Sequence, residues 1–235
     1  MLRTHKVADW RSTAGPTGVP AMLREVYHIY VGRFRSRMRF PTYAGPVSSQ
    51  LASSADPIRF STIALALARL DKDCIPGDMA ELGVYRGETS RFLHICAPGR
   101  TLHLFDTFTG FPDGFTTDKP DRFRATSVES VKRRIGDCSN VFLHIGIFPE
   151  TAVEVAAERF SLVMLDADCY PSTKAGLEFF YPRTVPGGYI FLHDFNNPES
   201  DWGVSRAATE FVANKPEQIM EIPDTWGTAF FRRIG

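Results

Sequence analysis

Four ionisable side chains stand directly after two apolar runs in the second half of the chain. Asp166 and Asp168 follow the run SLVML, and His193 and Asp194 follow the run GYIFL. Three carboxylates and an imidazole are costly to bury unless each has a partner. Carboxylates that meet in a partly dry cleft repel one another, and a divalent cation with oxygen ligands removes that repulsion. Such a cation lowers the pKa of a bound hydroxyl group, so these residues fit a site that activates a hydroxyl.

The elements that would position these residues alternate between strand and helix from Ile75 onward. The strand candidates are apolar on both faces, which is typical of a parallel sheet covered on both sides. The segments between them, such as 150–160, have helical periodicity. We expect an α/β fold with a Rossmann-like doubly wound sheet, mostly parallel with an antiparallel last strand. The expected strands are 78–84, 101–107, 141–148, 161–167 and 188–195, then a closing pair at 218–224 and 227–234.

The first strand ends in the turn ELGVYRGETS, which has the features of a ligand site. Gly83 and Gly87 let the backbone approach a ligand closely, and Thr89 and Ser90 open a helix whose first amides are free. The next strand ends in Asp106, where a carboxylate can bind the hydroxyl groups of a ribose. Ligands of such sheets lie beyond the carboxyl ends of the strands.

The same turn distinguishes between two nucleotide ligands. A dinucleotide site would carry GxGxxG, and this turn has only GxxxG. Glu81 would repel a pyrophosphate and would attract an ammonium group, such as the amino-acid end of S-adenosyl-L-methionine (SAM). The turn therefore favours an adenosyl ligand that carries a cation over a nicotinamide dinucleotide.

Four segments resemble the macrocin O-methyltransferase family, which consists of class I SAM-dependent methyltransferases. They are GDMAELGVYRGETS, LFDTFTGFPDGF, HIGIFPETA and LDADCYPSTKAGLEFFYPRTVPGGYIFLHDF, in the order and spacing of the family, and they span about residues 75–212. The resemblance implies that residues of the glycine turn surround the methionine moiety, that Asp106 binds the ribose, and that the Gly146-Ile147 turn lies near the adenine. The expected cofactor-binding residues are Glu81, Gly83, Tyr85, Gly87, Thr89, Ser90, Asp106, Thr107, Phe108, Gly146 and Ile147.

The resemblance also assigns roles to the ionisable residues. It implies that Asp166 and Asp194 bind a divalent cation, with Mg²⁺ the expected ion, and that Asp168 is the general base. The chain departs from the family where His193-Asp194 replaces an acidic pair. Three roles stay open for His193: a nitrogen ligand of the metal, a second base, or a structural residue with Asn196 supplying an oxygen instead.

The first 74 residues are expected to form a helical N-terminal extension, and residues 75–235 the SAM-binding domain. Helices are predicted at 19–34 and 56–73, and the Pro/Gly/Ser-rich residues between them predict a loop over 35–55. The alternating Arg33 to Arg39 stretch is interpreted as a solvated face, with an anionic substrate or a neighbouring subunit as alternative contacts. The polar segment 112–127 is expected to act as a lid over the substrate.

Composition excludes several classes of function. The 235-residue chain has a formal net charge of zero and a pI near 7, so nothing in its overall charge recruits nucleic acid. It has no apolar run long enough for a membrane helix, and its basic N-terminus without an apolar segment behind it leads us to expect no signal peptide. Four widely spaced cysteines indicate reduced thiols in a cytoplasmic protein. We expect neither nucleic acid nor membrane as a partner, and a homodimer is a further prediction.

The expected activity is O-methylation of a small-molecule hydroxyl acceptor of sugar or natural-product type. Two alternatives belong to other classes. A SAM-binding regulator without catalysis would keep the cofactor turn, but it would not need Asp166, Asp168 and Asp194. An NAD-dependent oxidoreductase on the same fold is disfavoured by Glu81 and by the missing GxGxxG.

Overall fold

The mixed sheet predicted from the alternating pattern is present. The computed structural model describes residues 45–111, 123–136, 138–198 and 201–235, and its sheet has seven strands. They are β1 (Asp78–Leu82), β2 (Leu102–Asp106), β3 (Val141–Ile145), β4 (Phe160–Leu165), β5 (Thr184–Leu192), β6 (Met220–Glu221) and β7 (Ala229–Arg232). Their order is β3-β2-β1-β4-β5-β7-β6, with β1 to β5 parallel and β7 antiparallel to both neighbours. The expected Rossmann-like doubly wound fold is thus confirmed, and strand order reverses between β1 and β4.

Helices connect the strands and cover both faces of the sheet. They are α1 (Gly45–Ser53), α2 (Pro57–Lys72), α3 (Glu88–Cys96), α4 (Val128–Ile135), α5 (Tyr170–Phe180) and α6 (Gly203–Val212), with 3-10 turns at Glu150–Val155 and Tyr181–Arg183. The helix expected over 150–160 is therefore only a short 3-10 turn. Its alternating β-branched residues, Thr151, Val153 and Val155, have low helix propensity, which accounts for the difference.

Helix α1 lies inside the segment predicted to be a loop, so that prediction is wrong for residues 45–53. Pro46 occupies the start of the helix, where a missing amide hydrogen costs nothing. Val47 and Leu51, four residues apart, both pack against the hydrophobic core. Tertiary packing of this short apolar stripe therefore outweighs the loop-forming composition.

The core consists of two apolar layers, one on each face of the sheet. All six residues of β4 are buried, and they alternate between the layers. Leu162 and Met164 belong to the layer that contains α2 and α3. Val163 and Leu165 belong to the layer that contains α5 and α6. Because β4 is packed on both faces, the residues that follow it are held in a defined position at the edge of the sheet.

The two described helices that lie in the expected N-terminal extension pack with the sheet. Both α1 and α2 belong to the same compact unit as the strands, residues 43–235. The boundary at residue 74 stays a prediction, because most of the extension lies outside the described residues. The same holds for the Arg33 to Arg39 stretch, for the predicted helix at 19–34, and for most of the expected lid.

All four cysteines lie in the described ranges and are free thiols. None of the helices in those ranges combines the length and apolar character that a bilayer crossing requires.

Candidate functional site

A cavity of about 430 Å³ opens at the carboxyl ends of β1, β2, β4 and β5. It spans the point where strand order reverses, which is where ligands of such sheets bind. Most of the residues predicted from the sequence line this one cavity. They are Glu81, Gly83, Tyr85, Thr89, Asp106, Thr107, Gly146, Ile147, Asp166, Asp168, His193 and Asp194.

The turn after β1 has a shape that only glycine permits at residue 83. Gly83 has a φ of +90°, and a Cβ atom there would lie 1.9 Å from the carbonyl oxygen of Asp166. Gly87 has a φ of +75° and precedes the first residue of α3, but it does not line the cavity. The turn thus brings the end of β1 against the end of β4 and leaves open space above both.

Glu81 is the buried charge at the base of this turn. Its side chain is 1% exposed and accepts a hydrogen bond from the hydroxyl group of Ser90. Burial raises the pKa of Glu81 well above its ordinary value, the Ser90 hydrogen bond opposes that change, and the charge of Asp166 adds to it. An ammonium group of a ligand beside Glu81 would favour the ionised carboxylate, as predicted from the sequence.

Asp106 is held rigidly by the backbone around it. Its Oδ2 accepts hydrogen bonds from the amides of Val84 at 2.7 Å and Tyr85 at 2.8 Å, and its Oδ1 accepts one from the amide of Phe108 at 2.7 Å. The carboxylate therefore cannot swing away from the cavity, and Oδ1, which accepts only one of these bonds, keeps a lone pair for a ligand hydroxyl. Its predicted contact with a ribose stays a prediction.

Two phenylalanines near Asp106 occupy different environments, one in the core and one on the cavity wall. Phe108 was expected to line the pocket, but it is 8% exposed and belongs to the core layer that contains α2 and α3. Its φ of +55° accompanies this inward placement. Phe111, three residues further on, lies on the cavity wall. Two other residues that were expected to bind the cofactor, Ser90 and Gly87, do not line the cavity. Ser90 instead positions Glu81 through its hydrogen bond, and Gly87 shapes the turn.

The four ionisable residues after β4 and β5 converge, because these two strands are adjacent and parallel and end at the same edge of the sheet. His193 Nδ1 lies 2.8 Å from Asp166 Oδ1 and 3.5 Å from Asp194 Oδ2. One ligand atom from each of Asp166, His193 and Asp194 lies within 4.8 Å of the others. Asp168 and Asp194 both have φ values in the left-handed region, +55° and +57°. Left-handed non-glycine residues cluster at functional sites, where the surrounding structure must enforce them.

The ionisation of this cluster reflects its burial and its crowded charges. Burial raises the pKa of Asp168 well above its ordinary value, and contacts with Asp194 and Asp166 add to the effect. Burial alone would lower the pKa of His193, but the charge of Asp166 and the close contacts with Asp166 and Asp194 together outweigh burial and raise it to about 10. Burial would raise the pKa of Asp194, but its close contacts with His193 and Asp168 lower it instead. His193 is therefore an imidazolium at neutral pH in the metal-free protein.

The cluster fits a divalent cation. Carboxylate oxygens of Asp166 and Asp194 and an imidazole nitrogen of His193 are ordinary ligands of such ions, and they converge from two strand ends. His193 is 8% exposed, and within the described residues neither of its ring nitrogens has a hydrogen bond of good geometry, although Nδ1 is close to Asp166. A buried imidazole without hydrogen bonds is costly, and metal coordination is one way to satisfy it.

Several residues of the cavity wall were missed by sequence reasoning. Arg59 comes from α2, Ser172 from α5, Asn197 from the loop after β5, and Trp226 from the loop before β7. The one sequence signal for Arg59 was a charged residue in the first turn of a mostly apolar helix. The others lie in polar loops or first turns, where nothing local separates a wall residue from a solvated one.

Three further histidines, His94, His103 and His144, lie outside the cavity. His103 and His144 form a buried chain, with 3.1 Å between Nδ1 of the first and Nε2 of the second. Asp78 and Glu154 end this chain at 3.3 Å and 3.0 Å. His94 lies 3.1 Å from the sulfur of Cys138. None of them contributes to the cavity wall.

Comparison with known proteins adds independent information. A family model described as macrocin-O-methyltransferase matches residues 57–233. The chain is 33% identical to the 8-demethyl-8-(2,3-dimethoxy-alpha-L-rhamnosyl)-tetracenomycin-C 4'-O-methyltransferase of Streptomyces olivaceus, over 52% of this chain and 54% of that protein. It is 30% identical to the mycinamicin III 3''-O-methyltransferase of Micromonospora griseorubida, over 54% of this chain and 58% of that protein. The chain thus spans about half the length of the curated relatives it matches.

Solved structures show the same fold over more of the chain. The O-methyltransferase NovP superposes with a TM-score of 0.64 and 25% identity, over 76% of this chain and 81% of that one. A calicheamicin methyltransferase superposes with a TM-score of 0.59 and 21% identity, over 82% of this chain and 95% of that one. The second likeness bears on the fold alone.

Proposed function

The chain belongs to the macrocin O-methyltransferase family, and from that membership we propose that it transfers a methyl group from SAM to a hydroxyl group of a small molecule. The observation that carries the proposal is the shared cavity. Glu81 and Asp106, suited to the two ends of an adenosyl amino acid, line the same space as Asp166, Asp168, His193 and Asp194. Methyl transfer is an in-line displacement, so a donor and an activated hydroxyl held side by side supply most of what the reaction needs.

The acceptor is proposed to be a sugar or another hydroxyl of a natural product. Its basis is the printed names of two relatives, one acting on a rhamnosyl-tetracenomycin and one on mycinamicin III. The exposed Trp226 and the ring of Phe111 on the cavity wall suit the apolar face of a sugar ring.

The chain's own residues can do three things in the transfer. Glu81 and Asp106 orient the donor, and Asp168 accepts the proton of the attacking hydroxyl group as the new oxygen–carbon bond forms. The sulfur–carbon bond of the donor breaks at the same time, which leaves S-adenosylhomocysteine and a methyl ether. The raised pKa of Asp168 makes it a stronger base once it is ionised. The buried turn and strand ends exclude water from the transfer.

We further propose that Asp166, Asp194 and His193 hold a divalent cation, with Mg²⁺ the expected ion. The ion would supply Lewis-acid activation of the acceptor hydroxyl. Two carboxylates that converge in a buried site need such a positive charge between them.

The test is a methyl-transfer assay with SAM and a panel of 6-deoxyhexose glycosides, read by the mass of the product. We expect methylated product with Mg²⁺ and none in EDTA, with activity restored when excess Mg²⁺ is added. Full turnover in EDTA would overturn the metal proposal alone. Tight binding of S-adenosylhomocysteine with no methylation across a broad hydroxyl panel would instead support a regulatory SAM-binding protein.

A further inference from the structure

Arg59 brings a buried positive charge into the cavity, and no role has been assigned to it. The residue is 9% exposed and lines the same space as Glu81 and Asp166. Among the described residues its nearest opposite charge is Asp166, with 3.7 Å between Arg59 Nη1 and Asp166 Oδ2. That distance is too long for a hydrogen bond, so the contact is a loose ion pair.

The guanidinium is incompletely satisfied. Its Nε is buried and has no hydrogen-bond partner within the described ranges. Its other close contact is with the ring of Phe60, whose centroid lies 4.9 Å from Arg59 Cζ. A buried guanidinium with free donors is costly, and such donors indicate a missing acceptor, most simply an anionic group of a ligand.

Arg59 is also held in place, as a binding residue must be. Its backbone amide donates to Asp56 Oδ1 at 3.2 Å, which caps the first turn of α2. Asp56 Oδ2 accepts a hydrogen bond from the amide of Thr225, so the helix start is tied to the loop before β7. The next residue, Phe60, packs on Phe92 of α3 with ring centroids 4.6 Å apart. The arginine therefore projects from a helix that is fixed at its end and along its side.

The neighbours of Arg59 indicate which anion it would bind. Arg59 lies close enough to Glu81 to affect the ionisation of that carboxyl group. A buried carboxylate and a buried guanidinium on one wall match the two opposite charges of an amino-acid zwitterion, which lie on the same carbon atom. Glu81 is the residue expected to bind the ammonium group of the methionine moiety, and Arg59 lines the same cavity.

We propose that Arg59 binds the α-carboxylate of the methionine moiety of SAM and of S-adenosylhomocysteine. This inference rests on the proposed function, because it takes SAM as the donor. Arg59 and Glu81 then bind the two charges of the same amino acid. The fork of the guanidinium suits a carboxylate, because two parallel N–H donors meet its two oxygens.

The experiment is calorimetric binding in EDTA, so that neither turnover nor the metal contributes. Three ligands are compared: S-adenosylhomocysteine, its analogue that lacks only the carboxylate, and 5'-methylthioadenosine, which lacks the whole amino acid. The variants are Arg59→Met, Arg59→Lys and the control Arg69→Met. Arg69 lies on the same helix, is half exposed, and pairs with Asp73 outside the cavity.

We expect Arg59→Met to weaken S-adenosylhomocysteine binding about 10- to 100-fold, the usual range for a lost hydrogen bond to a charged group. The same variant should bind the decarboxylated analogue and 5'-methylthioadenosine like the wild type, within about threefold. Arg59→Lys should fall between Arg59→Met and the wild type, and Arg69→Met should match the wild type for all three ligands.

Unchanged affinity of Arg59→Met for S-adenosylhomocysteine would overturn the inference and leave the proposed function intact. An equal loss for all three ligands would also overturn it, since that result indicates a structural role. A wild type that binds none of the three ligands would overturn the proposed function itself. If Arg59→Met does not fold, the inference is tested by the affinities of the wild type alone. It then requires that the wild type binds S-adenosylhomocysteine at least about tenfold more tightly than the decarboxylated analogue.

Discussion

Nδ1 of His193 lies 2.8 Å from Oδ1 of Asp166, across the ends of two adjacent parallel strands. This contact joins the residue that departs from the family's acidic pattern to the residue implied to bind the metal. Without a metal, the imidazolium of His193 supplies the positive charge that the converging carboxylates need. We therefore regard His193 as a group that a cation must deprotonate or displace.

The first prediction concerns metal affinity and pH. A coordinating imidazole must be neutral, whereas the charge of Asp166 raises the pKa of His193 to about 10 in the metal-free protein, against the effect of burial. If His193 is a ligand, Mn²⁺ or Mg²⁺ affinity should rise about tenfold per pH unit between pH 6.5 and 9, because one proton is released on binding. Calorimetry in buffers of different ionisation enthalpy measures both the affinity and the proton.

Replacing His193 by an acidic residue tests whether it is a metal ligand rather than a second base or a structural residue. His193→Asp restores a paired acidic ending and should raise Mg²⁺ affinity at pH 7 by at least about tenfold, with a weaker dependence on pH. A wild-type affinity that stays constant from pH 6.5 to 9 would show that His193 is not a ligand.

The second prediction concerns the stability of the metal-free protein. The pKa of His193 is raised from 6.5 to about 10 on folding. Its stabilising contribution is therefore fully present below pH 6.5 and is lost as the pH rises through 10. Urea denaturation in EDTA should show stability falling over this window, and His193→Gln should flatten that fall. The same slope in both proteins would contradict the assigned pairing.

The third prediction concerns the base. Asp168→Asn removes the proton acceptor but keeps a side chain that can donate a hydrogen bond to Asp194. We expect kcat to fall about 10²- to 10⁴-fold, the usual contribution of a general base, while S-adenosylhomocysteine affinity is unchanged. Glu178→Gln on the exposed side of α5 is the control, since Glu178 pairs only loosely with Lys174 at 3.9 Å. Activity of Asp168→Asn near the wild-type level would exclude Asp168 as the base.

The fourth prediction concerns the glycine turn. A Cβ at residue 83 would lie 1.9 Å from the carbonyl oxygen of Asp166, and its φ of +90° is unfavourable for alanine. Gly83→Ala should therefore lower the free energy of unfolding by about 2–4 kcal/mol and abolish S-adenosylhomocysteine binding. Gly99→Ala is the matched control, because a Cβ at residue 99 meets nothing within 4 Å. Denaturation midpoints and calorimetry together check both effects, and equal behaviour of the two variants would refute the argument.

The fold was largely predictable because its signal is local. Five short apolar runs, each followed by a helical segment, predict a parallel sheet, and β1 to β5 occupy those runs. Predictions made from composition failed at α1, where two apolar residues four positions apart found a core to pack against. The turn at 150–155 shows the opposite case, because β-branched residues without a strong apolar stripe did not form an α-helix.

The candidate site, like the fold, was predictable only where the sequence signal is local. By itself, the sequence determined that the glycine turn, Asp106 and the four ionisable residues follow strands, and that places them at one edge of a parallel sheet. Only the tertiary structure decided that Phe108 turns into the core, that His193 touches Asp166, and that Arg59 lines the same cavity as Glu81. The reason is physical: residue periodicity reports the local backbone, whereas contacts between distant segments depend on how helices and strand ends pack.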